Sequence, residues 1–196
     1  MSHRDPRRRP RNLGPGRPGR PAPRVPRRLI LANKLMADGR FAEAADSFAR
    51  LSRGARRRGL PVRAANLAAR ASQAYLAQDR VKPAVLHVRL AIQLLMDEGR
   101  APRAARVAAR AAVQLTERGF DAQAEEMTQL AEQLRREAGI PESDWNASLP
   151  AAGAAAHGSL PTSCPGCGAP LIAGDVTWHD ARTAECPYCG AVIKAE

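Results

Sequence analysis

Apolar residues return every three or four positions from about residue 29 to residue 138, the spacing of helices that bury one face. The pattern then repeats on a larger scale. Ala64, Leu67, Ala68, Ala71 and Tyr75 form one helical face, which returns forty residues later as Ala104, Val107, Ala108, Ala111 and Leu115; Leu31 and Leu35 carry it backwards. A second set keeps the same period: Ala44, Ala84 and Ala124 coincide, as do Phe48 and Val88, while the third unit has Thr128 there with Met127 beside it. Gly59, Gly99 and Gly139 also lie forty apart, each followed within three residues by Pro61, Pro102 or Pro141, and a second break recurs at Gly39, Asp79 and Gly119. Glycine just past one helix end and proline at the next start are what unsatisfied helix termini favour. Residues 27–140 therefore predict three helix pairs, in units of about 27–59, 60–99 and 100–139. A single pair cannot bury its apolar face, so stacking of the units supplies the core.

The stretch GRFAEAADSF, residues 39–48, resembles the turn and second helix of a tetratricopeptide repeat, with Gly39, Phe41, Ala44 and Phe48 at that family's spacing. DRVKPAVLHV, residues 79–88, matches through Val81, Ala84 and Val88, whereas Phe120 of the third unit sits one residue early. A forty-residue unit is longer than that family's usual 34 or so, which leaves a HEAT-like or other helix-pair array open. The resemblance implies a right-handed superhelix that binds proteins, with its first helices lining the concave surface. A polar stripe would then lie in that groove: Arg63, Asn66 and Arg70 recur forty residues later as Arg103, Arg106 and Arg110, at i, i+3 and i+7. Five guanidinium groups and one amide suit carboxylates or phosphates. An ordinary solvated face competes with that reading, because arginine outnumbers lysine 28 to 3 in this Ala-, Gly- and Pro-rich chain.

The helical pattern stops near residue 140. The following stretch, residues 141–162, is rich in Ala, Gly, Ser and Pro and reads as a flexible linker, with Trp145 in a short cap on the last pair and His157 solvated. Then SCPGCG, residues 163–168, returns as ECPYCG, residues 185–190. Cys164, Cys167, Cys186 and Cys189 give C-x2-C-x18-C-x2-C, the spacing of a four-cysteine metal site. Each Cys-Pro-x-Cys-Gly phrase makes a tight turn that aims two thiolates at one ion, and two such turns complete a tetrahedron with no position left for an activated water. The site is therefore structural, and His179 is not a ligand. Around HDAR a short hairpin is expected, with further strands in APLIAG and AVIK. Residues 163–196 thus resemble a zinc ribbon, whose folding free energy is largely that of one bound zinc. The same four ligands hold iron in rubredoxin, which the paired phrases also resemble, so iron stays open. CPYC alone resembles a glutaredoxin dithiol, but the tail lacks the βαβ context that chemistry needs.

Charge divides the chain as the pattern does. The net charge is +12: residues 1–28 hold ten arginines against Asp5, residues 29–140 sum to +7, and residues 141–196 sum to −4. Seven prolines up to Pro26 and the lack of apolar content make residues 1–26 a disordered arm. No apolar run approaches the roughly 18 to 20 residues of a membrane span, and the arm has no apolar signal core. A soluble cytoplasmic protein with metal-binding rather than disulfide-bonded cysteines is expected.

These features carry no nucleophile with a base, phosphate loop or open metal site, so the sequence predicts neither an enzyme nor a small-molecule substrate. The expected fold is mostly α, a tetratricopeptide-like solenoid of three helix pairs followed by a small β zinc ribbon; the whole resembles bacterial proteins of this two-part design. The leading function is a non-enzymatic protein-binding scaffold whose partner is acidic; the ribbon is expected to fold on its own zinc without supporting the array, and, being acidic and flexibly tethered, to dock weakly on the Arg63, Arg70, Arg103, Arg106 and Arg110 stripe in competition with that partner. The alternative is non-specific nucleic-acid binding through the basic arm and the ribbon.

Overall fold

The computed structural model describes residues 27–142, 158–173 and 176–196; the arm 1–26 and the stretch 143–157, with the cap expected at Trp145 and the solvated His157, lie outside the described residues. Six helices occupy the repeat region: α1 (Arg27–Ala37), α2 (Phe41–Arg57), α3 (Pro61–Leu76), α4 (Val81–Asp97), α5 (Ala101–Thr116) and α6 (Asp121–Glu137). Each packs on its neighbours in sequence, and α3 also touches α5 across the intervening helix.

Why the helices stop where they do is visible in the backbone. At every break one residue turns into the left-handed region, and the following N–H reaches back five residues: Arg40 to Leu35 O, Leu60 to Ala55 O, Arg80 to Tyr75 O, Arg100 to Leu95 O, Phe120 to Leu115 O and Ile140 to Arg135 O, at 2.8–3.1 Å. This Schellman closure uses up the carbonyls that a helix end leaves free. Five of the six turning residues are glycine; the sixth is Asp79, at φ 54. After the first five turns, the next residue caps the following helix. None of these five N-caps uses its side chain, so the starts rely on Pro61, on Pro102 and on packing.

Packing follows the repeat with one correction. The α3 and α5 faces are buried, Val107 partly, as are Ala44, Ala84, Ala124, Phe48, Val88 and Met127 of the second helices. Leu31, expected on the buried face of α1, is 55% exposed; α1 instead buries Leu29, Ala32, Asn33 and Leu35. The face α1 buries is the one turned to α2 and, through Asn33, to the C-terminal module. No helix among the described residues is long and apolar enough to cross a membrane.

The C-terminal module carries a small antiparallel sheet ordered β1 (Thr177–Trp178), β2 (Thr183–Glu185), β3 (Val192–Lys194). Ala184 pairs with Trp178 on one side and with Ile193 on the other. The hairpin around HDAR and the strand in AVIK thus stand where the alternation put them. APLIAG contributes only a bridge between Pro170 and Ser163. Residues read as linker belong to this module's edge: Gly158 N donates to Ala181 O at 2.9 Å, while Ser159 and Glu196 exchange backbone hydrogen bonds. The four cysteines and Ile193 join the helices in one continuous buried cluster. The module is thus packed against the helices, the contact that weak docking on the stripe anticipates.

Candidate metal centre and its seat

Two turns of the same make build the centre. In the first, Gly168 N donates to Cys164 O (2.8 Å) and Cys164 N to Ala169 O (2.7 Å); in the second, Gly190 N donates to Cys186 O and Cys186 N to Ala191 O, both at 2.9 Å. Gly168 and Gly190 take φ 72 and 75, which lets the chain leave sharply after the second cysteine of each turn. The result is that all four sulfurs face inward. Each cysteine is 1% exposed, and the four Sγ atoms lie within 4.8 Å of one another.

Across the turns, Cys164 Sγ is 3.7 Å from Cys189 Sγ and Cys167 Sγ is 3.9 Å from Cys186 Sγ. Both separations exclude a disulfide, whose sulfurs are bonded at about 2.05 Å. They do match a tetrahedron: sulfurs about 2.3 Å from a central ion have edges of about 3.8 Å. The protonation chemistry points the same way. Hydrogen bonds from Cys167 and Cys189 pull the Cys186 thiol down to about 2, whereas the bonds to Cys186 and Cys189, then burial, push Cys167 up. Four sulfurs this close cannot all carry charge unless a cation neutralises them, and a divalent ion would hold them as thiolates. His179 stays outside the cluster, with Nε2 3.5 Å from Glu185 Oε2.

The turns do not stand free; they are seated on α1 and α3. Asn33 Nδ2 donates to Cys167 O (2.8 Å), Arg63 Nε to Tyr188 O (2.6 Å) and Asn66 Nδ2 to Pro187 O (2.7 Å). Arg103, reaching over from α5, fixes Asn66 by donating Nη2 to its Oδ1 at 3.0 Å. This settles the amide's orientation, because its oxygen faces a donor and its nitrogen an acceptor. Arg70 lies beneath the module, with its guanidinium 5.4 Å from the centre of the Phe48 ring and Nη1 donating to Gln73. Burial lowers its pKa, opposed by attraction to Tyr188 and Cys167. Arg110 borders a small cavity beside Pro170, Ile172 and Tyr188. A wider cleft of about 560 Å³ opens between Arg63, Arg100 and Arg103 on the helices and Cys186, Pro187 and Cys189 on the module.

Four members of the stripe, Arg63, Asn66, Arg70 and Arg103, thus converge on the chain's own cysteine turns, while Arg106 stays half-buried on α5. Arg63 and Asn66 bond backbone carbonyls there, while Arg103 bonds the Asn66 amide and Arg70 bonds Gln73 beside the Phe48 ring. Asn33 and Tyr188 were missing from the sequence expectation. Asn33 had a signal, a polar residue in the middle of the apolar run LILANKLM. Tyr188 had none, because what it contributes is a carbonyl.

The arrangement defines a class in coarse terms: paired helices in series, with a four-sulfur cluster able to hold a metal ion lodged against the first helices of two pairs. Beyond that class the comparisons add no name, since no protein-family model, curated protein or solved structure matches the chain.

Proposed function

We propose that the protein is a non-enzymatic, cytoplasmic protein-binding scaffold: a tetratricopeptide-like array whose groove is filled by its own zinc ribbon. Cys164, Cys167, Cys186 and Cys189 would hold one Zn2+, which supplies a structural cross-link between the two turns. The chain's residues do the rest. Asn33, Arg63 and Asn66 grip the turns by their carbonyls, and Arg70 places a positive charge beside a site that four thiolates and one divalent ion leave at −2. The observation that supports this reading is the seat itself: Arg63 and Asn66 of the stripe already hold a stretch of polypeptide by its Tyr188 and Pro187 carbonyls, as a peptide-binding groove would. With all four tetrahedral corners taken by sulfur, the site offers no open position for chemistry. Free buried thiols fit a reducing compartment.

Elemental analysis of purified protein tests the metal, with about one zinc per chain expected and iron pointing to a redox role instead. Affinity capture from nuclease-treated extract tests the scaffold: a stoichiometric protein partner supports it, and capture abolished by nuclease overturns it.

A further inference from the structure

On the other side of Arg63 from the ribbon's turns, α1, α2 and α3 enclose an open cleft of about 690 Å³ lined by Arg28, Arg50, Arg57, Arg58 and Arg63 and, among the described residues, by no acidic side chain. Among the described residues, Arg28, Arg50, Arg57 and Arg58 form no ion pair. Arg57 and Arg58 close α2, where cations are favoured, but two of the five stand against the fold's own electrostatics. Arg28 lies in the first turn of α1 and Arg63 in the first turn of α3, and neither turn has an acidic residue. A helix N-terminus is already positive, so cations there are unfavourable. Solvation and an outside anion are what relieve such a cluster. Gly54, in the interior of α2, makes room for one of the five arginines: a Cβ there would sit 3.4 Å from Arg58 Nη1, so the missing side chain lets the Arg58 guanidinium lie back along the helix at the cleft floor.

We propose that this cleft binds the phosphate backbone of nucleic acid without sequence preference. Guanidinium forks pair bidentately with phosphate, and the repeated negative charge of a polyanion matches a cleft that five arginines line. The lining residues include no aromatic ring on which a base could stack and no carboxylate to read base edges, hence the indifference to sequence. The ribbon, with Asp180 and Glu185 exposed or half-buried on its surface, takes no part. Variants at Arg50, Arg57 and Arg58 leave Arg63, which also holds the ribbon, untouched, so this site and the scaffold reading can fail separately.

The test is fluorescence anisotropy of a labelled oligo-dT strand with the full, zinc-loaded chain across a salt series. Arg50→Glu, Arg57→Glu and Arg58→Glu together are expected to weaken binding at least tenfold and to lower the salt slope by about 2, at roughly 0.7 per single-strand phosphate contact. An equal charge change at Lys82, Arg136 and Lys194, all exposed elsewhere, is expected to alter affinity by less than about threefold, leaving the slope near that of the parent. The milder pair Arg50→Gln and Arg57→Gln, expected to lower the slope by about 1, keeps the test valid should the triple variant unfold. Equal losses in cleft and control variants would overturn the proposal. So would displacement of the strand by poly-glutamate at matched charge, which would assign the cleft to an acidic protein.

Discussion

Single side chains tie the two parts together, and Asn33 is the clearest. It is buried, and its amide nitrogen satisfies the Cys167 carbonyl at 2.8 Å. Asn33→Leu would leave that carbonyl buried without a donor, a loss of about 1–3 kcal/mol. A lowered melting temperature is the expected result, with faster release of metal to a chromogenic chelator; unchanged release would detach the amide from the site. A second residue governs acid sensitivity. His87 stacks on Tyr75 with ring centres 5.4 Å apart, and burial, then Arg53, lowers its pKa below 6.5. The unfolded chain therefore binds the proton first, so stability contributed by the neutral ring is full above pH 6.5 and is lost as pH falls from there toward the depressed folded value. His87→Gln should flatten the fall in melting temperature below pH 6.5, and a parallel fall in both proteins would locate the acid sensitivity elsewhere.

Among the elements, the turns were the most legible part of the chain. Gly39, Gly59, Gly99, Gly119 and Gly139 marked breaks by sequence, and each closes a helix in the left-handed region. Asp79 shows the rule by departing from it. It holds φ 54 with a side chain, at a penalty of roughly 1 kcal/mol, and its exposed pairing with Arg118 at 3.1 Å returns only a fraction of that. Asp79→Gly is expected to raise stability by up to about 1 kcal/mol, and Gly99→Ala to lower it by about the same. Denaturant unfolding checks both; a loss at Asp79 would mean the Arg118 pair matters more than the backbone. What the pattern could not show was the turn of α1. Periodicity fixes which residues share a face, but Leu29 and Leu31 differ by which neighbour arrives, and that neighbour comes from more than 130 residues away.

For the whole molecule, the cysteine cluster was legible because thiolate chemistry needs named residues at fixed spacing. Its seat was not, because Cys167, Pro187 and Tyr188 are recognised by carbonyls that every residue has. The consequence for stability is testable. Since cysteines and helices share one buried cluster, Cys186→Ser or chelation should lower the melting temperature of the helices as well as unfold the module. Circular dichroism at 222 nm would show this as an earlier transition of the whole; a helical signal indifferent to chelation would mean the contact adds little.

The two turns are held by different helices, the first by Asn33 of α1 and the second by Arg63 and Asn66 of α3, and these helices open successive units of the array. Stacked helix pairs ordinarily flex like a spring, each unit sliding a little on the next. Here a spacer of fixed length bridges one coil of that spring, its span set by sulfur separations of 3.7 and 3.9 Å. Stretching the coil would have to break either a hydrogen bond to a turn or the tetrahedron itself. The spacing of the first two helix pairs is therefore gauged by the cluster, and Arg103 passes the same tie on to α5 through Asn66.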